Sequence, residues 1–154
     1  MPTPTFVAAG TPGVAQGTIA SPTAAVDISV SATPPSAAVV GDLLVAAVLF
    51  GADQLNNPGV GIGTIGMPSG WTLGPVEGVN APAEAGGPGA GLLVTAWKVA
   101  DAADLSASTT WTTLLTPSFV ADECGWTGEA VIVAYSGVAS YDVGSINLNQ
   151  AGGN

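Results

Sequence analysis

Apolar residues along this chain fall into short runs, and several of those runs alternate with polar positions. Between Thr23 and Ser31, Val26, Ile28 and Val30 take every second place, the period of a strand with one buried face. Ser108 to Leu114 repeats the pattern, with Thr110 and Thr112 on one side and Trp111 and Thr113 on the other. Three segments are instead continuously apolar: Asp42 to Phe50, Gly91 to Ala100 and Gly128 to Gly137. Such runs fit central strands covered on both faces, although period alone leaves a buried helix open. Thr5 to Ala9 and Trp71 to Val76 predict further strands, with Tyr141 to Leu148 closing the set and a short one at Val60 to Ile65. Asp-Ala-Ala-Asp after a strand is a good local initiator, so one helical turn is expected over Asp101 to Leu105.

Turn chemistry separates these runs. Thr33-Pro34-Pro35-Ser36 and Asn56-Asn57-Pro58-Gly59 break the chain, and Gly78 to Gly91 is a long Gly/Pro/Ala loop of the kind that makes contacts or moves. With 22 Gly and 12 Pro, turns are frequent enough to suit many short strands rather than a few long helices. The expected fold is therefore all-β: an antiparallel two-sheet sandwich, jelly-roll-like, with about seven to nine strands. Residues 1–22 read as an extended N-terminal arm with a short strand, 23–143 as the sandwich domain, and 144–154 as a closing strand and flexible tail.

Charge narrows the partners. The formal net charge is −10, and Lys98 is the one basic residue. Nucleic-acid binding rests on Lys and Arg neutralising phosphates, and anionic membrane surfaces select for the same residues; both are excluded as partners. The longest apolar run, Leu43 to Phe50, falls far short of the roughly 20 residues that span a bilayer. No secretory signal is visible at the start, and the lone Cys124 can form no disulfide within the chain, so synthesis in a reducing cytoplasm is expected. So few charges in so apolar a chain leave part of the surface either apolar, which points to binding of neighbouring subunits through that surface and the terminal arms, or small and neutral, which needs no partner.

Candidate chemistry is sparse. Without His there is no Ser-His-Asp or Cys-His catalysis and no imidazole ligand, and a single Cys removes structural zinc. The glycines at 59, 61, 63 and 66 lack the Lys-Ser and helix of a phosphate loop. Carboxylates remain: Glu123 with Glu129, or Asp101 with Asp104, are the pairs a glycosidase or a calcium site would draw on, against a plainer role as solvated turn residues. No enzyme activity, cofactor or metal is expected. Four tryptophans stand out. Trp71 and Trp97 are expected in the core, whereas Trp111 and Trp126 are candidate contacts for a carbohydrate or another partner.

Four motifs occur in a fixed order: Gly41-Asp42-Leu43-Leu44-Val45-Ala46, Pro68-Ser69-Gly70-Trp71-Thr72-Leu73, Thr95-Ala96-Trp97-Lys98-Val99-Ala100-Asp101-Ala102-Ala103-Asp104, and Ala130-Val131-Ile132-Val133-Ala134-Tyr135-Ser136-Gly137-Val138. Together they resemble a β-sandwich module of tailed-phage virion proteins, of the minor tail and capsid decoration type, from phages of high-GC hosts. The resemblance covers roughly residues 23–143 and implies a structural role with no catalytic residues. It implies a virion location, with capsid or tail subunits as partners, and a homo-oligomer, a trimer being one arrangement. The alternative is a carbohydrate- or host-surface-binding module of a tail or extracellular protein.

Overall fold

A computed structural model describes residues 3–20, 24–54, 61–79, 90–116 and 123–138. Nine strands run through them: β1 (Thr5–Ala9), β2 (Gly13–Ile19), β3 (Val26–Ala32), β4 (Leu43–Gln54), β5 (Gly61–Ile62), β6 (Thr72–Val79), β7 (Ala90–Val99), β8 (Thr109–Thr116) and β9 (Cys124–Ser136). The helical turn after β7 is a short 3-10 turn, Asp104–Ser106. The expected closing strand at Tyr141 to Leu148, the tail 144–154, the turn at Asn56 to Gly59 and nearly all of the 78–90 loop lie outside the described residues.

The strands form two antiparallel sheets. One runs β1-β9-β4-β7-β6, with β2 also paired to β9; the other is β3-β8-β5. Pairing is nested: β2 with β9, β3 with β8, and β4 with β7. A long hairpin rolled up on itself gives this order, so the chain is the jelly-roll-like sandwich its pattern predicts. At the end of the roll β6 pairs with β7 through a bulge between Leu73 and Val76, which draws it into the larger sheet. Pro75, inside that bulged edge strand, has no N–H to offer a further strand.

Between the sheets lies the core. The larger sheet contributes Leu44, Ala46, Val48 and Phe50 from β4, Val94 and Ala96 from β7, and Ala130, Ile132 and Ala134 from β9; the smaller contributes Ile28, Val30, Trp111 and Leu115. The large sheet mixes alanines with bulky Leu44, Phe50 and Ile132, and the small sheet supplies Trp111 and Leu115, as two interdigitating layers require. Thr113 is buried beside them on β8, and its hydroxyl donates to the Gly63 carbonyl at 2.9 Å. Turn chemistry works as the sequence implies: Gly70 sits at φ +80, and the Trp71 N–H donates to the Pro68 carbonyl at 3.1 Å.

The N-terminal segment departs from the expected arm. Besides the expected strand β1, residues 13–19 form a second one, and both lie along β9 as the edge of the larger sheet. The segment also touches the smaller sheet, through the bridge Thr11↔Thr33. A Cβ on Gly13 would run into the Ser31 carbonyl oxygen, and one on Gly10 into that of Thr33. Only glycine permits the two backbones to meet so closely, and this meeting closes one side of the sandwich.

Candidate interaction surface

Strand alternation decides what each sheet shows to the outside, and the two outer faces differ in chemistry. On the smaller sheet Asp27, Ser29 and Ser31 of β3 are exposed beside Thr110, Thr112 and Thr116 of β8, with Leu114 the large apolar exception. The hydroxyls join across strands, Ser31 Oγ to Thr110 Oγ1 at 2.6 Å and Thr33 Oγ1 to Ser108 Oγ at 3.1 Å. Such a hydroxyl ladder is well hydrated and has no need of a cover.

The larger sheet is the reverse. Residues that alternate with its core positions are Val45, Ala47 and Leu49 on β4, Leu93, Thr95 and Trp97 on β7, and Val131, Val133 and Tyr135 on β9. All are half-buried by their neighbours alone. Phe6 of β1 stands against Tyr135 edge-on, with ring centroids 5.8 Å apart, and is 57% exposed. Val14 of β2 is 69% exposed. Among the described side chains of this face, Glu129 is the only charged one, and it sits between Val14 and Leu49 in the ladder. An open groove of about 390 Å³ runs over the face, lined by Val14, Ala47, Leu49, Leu93, Val131 and the charged Glu129 among others. The continuously apolar runs were expected to be covered on both faces. Only their inner faces are covered by described residues, which leaves the outer ones as an apolar surface.

At one end of the sandwich Lys98 meets the two aspartates of the turn after β7. Its Nζ lies 2.8 Å from Asp104 Oδ1 and 3.0 Å from Asp101 Oδ2. Asp101 also accepts from the Ala103 and Asp104 N–H groups, while Asp104 accepts from the Asp101 N–H. The hydrogen bond to Asp104 raises the Lys98 ammonium above its ordinary range, against partial desolvation. The same cation, followed by the Asp104 N–H, holds the Asp101 carboxyl below the usual carboxylate range. These two aspartates are thus spoken for as a cap and an ion pair. Among the described residues no group of His, Cys, Asp or Glu is arranged to hold a metal ion. Glu123 and Glu129 sit six residues apart along one extended stretch, about 20 Å at the usual strand rise and too far to flank a glycosidic bond.

The tryptophans need correction. Trp111 is fully buried and packs edge-on against Trp71, with centroids 5.4 Å apart. It cannot stack on a sugar, because the alternation of β8 places it on the inner face with Thr113 and Leu115. Trp126, the other candidate contact, is half-buried on the inner side of β9 and packs against the core; its indole fills the space over Gly17. Trp97, expected in the core with Trp71, instead takes an outward place on β7, beside Val45 and Thr72. Cys124 is fully buried. What the sequence hid was the outer face itself, since a run such as LLVAAVLF has no alternation to say which side looks out.

No protein family matches this chain, and neither a curated protein nor a solved structure matches it.

Proposed function

We propose that the protein is a structural module on the exterior of a tailed-phage particle, decorating the capsid or the tail. It holds its place by burying an apolar sheet face against a neighbouring subunit. One observation carries this reading: the larger sheet presents Val45, Ala47, Leu49, Val131, Val133 and Phe6 outward, whereas the smaller presents a Ser/Thr ladder. A subunit in a coat needs one surface for its neighbours and another for water, and large exposed apolar patches mark interaction sites. The four ordered motifs agree with it at the level of resemblance. Jelly rolls also serve viral capsid and lectin domains, and since a fold alone does not fix function, the sheet face bears the weight.

Immunogold labelling of purified phage particles from high-GC hosts, with antibodies to this chain, tests the proposal. Regularly spaced label on heads or tails is the expected result. Particles that carry the gene but never the label would refute a virion role.

A further inference from the structure

We infer that the apolar face of the larger sheet is a self-association surface, occupied by the same face of a second copy of this chain. The inference rests on the assembly reading above for the use of this face, and goes further by naming the occupant.

Size comes first. The face is five strands wide and carries ten consecutive pairs between β4 and β7. At about 4.8 Å per strand and about 3.4 Å per residue, its footprint is roughly 800 Å². A standard stable interface buries about that much on each partner. Its anatomy fits as well. The centre is apolar, formed by Val45, Ala47, Val131 and Val133. Thr127, Gln16 and Thr18 lie toward one end, with Glu129 at the boundary. An uncharged centre with a polar margin is the composition of a protein–protein contact.

Charge then selects the partner. Each copy carries −10, so two copies repel on most approaches. Face to face they bring together the apolar centre, with Glu129 at the groove and Asp53 and Glu77 farther out in the same register, so the repulsion that remains lies outside Val45, Ala47, Val131 and Val133. A centre without charges or unpaired donors also offers nothing that would favour a basic or a polar partner. Two copies of one twisted sheet share the same shape, and stacked sheets pack about 10 Å apart with strands crossing near 30°. Phe6 and Val14, the most exposed large side chains here, supply ridges and the groove beside Val14 a recess. A two-fold axis presents ridge and recess to each other twice. The pair so formed would leave both Ser/Thr faces in water.

Sedimentation equilibrium on the whole chain at micromolar concentrations tests this. The expected result is a monomer–dimer equilibrium. Val131→Glu or Leu49→Glu should raise the dissociation constant at least tenfold, because a second carboxylate beside Glu129 is carried unpaired into the apolar face. Thr112→Glu, on the opposite face, should leave it nearly unchanged. Should the half-buried positions impair folding, judged by circular dichroism, Val14→Glu carries the test, since that side chain is already exposed. A chain that stays monomeric, a trimer, or a dimer indifferent to Val14→Glu and Val131→Glu would overturn the inference. A dimer that never labels particles would leave it standing and remove the virion role, and a labelled particle built from monomers would do the opposite.

Discussion

Trp111 shows how much a single position can decide. Among the described residues it is the largest fully buried side chain, and its indole N–H meets no acceptor there. Its value is therefore volume and ring contact with Trp71 rather than a hydrogen bond. Trp111→Ala should cost about 3–5 kcal/mol in urea unfolding, the range for emptying a core aromatic site. Trp97→Ala, at an outward place, should cost clearly less, and the reverse order would mean that the inner and outer faces of β7 or β8 are wrongly assigned. Glycines give a second contrast. Gly13→Ala forces a Cβ against the Ser31 carbonyl and should destabilise by about 1–3 kcal/mol, as overpacking does. Gly91→Ala meets nothing within 4 Å and should be neutral or stabilise by up to about 1 kcal/mol, since glycine weakens a strand interior. The two substitutions differ in sign, and equal midpoints in thermal melts would contradict the close approach of β2 to β3.

At the scale of elements, the Lys98 cluster fastens the end of β7 to the turn that follows it. The folded state raises Lys98 above its ordinary value of 10.5 and lowers Asp101 below 3.8. The lysine contribution is therefore present below pH 10.5 and lost as pH climbs through the raised value. The aspartate contribution is present above pH 3.8 and lost as pH drops through the lowered one. Lys98→Met should lower the melting temperature most between these limits, and the gap to the unsubstituted protein should narrow beyond either. A gap that is constant with pH would mean that the lysine acts through packing alone. The same scale shows what the chain discloses in advance. Strands β3 and β8 were legible because Val26-Ile28-Val30 and Trp111-Thr113 alternate with hydroxyl residues. Strand β2 was not: Gly13-Val14-Ala15-Gln16-Gly17 puts small residues inward, where glycine and alanine leave no apolar signature. The first four residues of β9, Cys124 to Thr127, were missed for the same reason, Gly125 resembling loop rather than strand. The alternation of β8 sets Trp111 opposite the hydroxyl residues, a cue to an inward place that its reading as a contact overlooked, whereas the apolar stretch around Trp97 carries no phase. The docking face depends on which layers are stacked, and that is a tertiary fact.

For the whole molecule, the nested pairing makes the N-terminal segment structural. Removing residues 1–19 deletes both strands on the free side of β9 and the glycine contact that closes the sandwich. Loss of a cooperative thermal transition is the expected outcome; a truncated chain that still melts cooperatively would restore the view of this segment as a detachable arm. Association should strengthen with added salt, because screening removes repulsion between chains of charge −10 while apolar burial persists; weakening in salt would indicate ion pairs instead. The pairing of β1 with β9 has a mechanical consequence too. Thr5 sits opposite Ser136, so the start of β1 and the end of β9 share one corner. Tension applied between those two points does not shear the strands past each other, which would load many hydrogen bonds at once. It peels β1 from β9 one bond at a time, starting at Thr5, and a pulling experiment through these ends should find a soft, zipper-like opening where other directions find resistance.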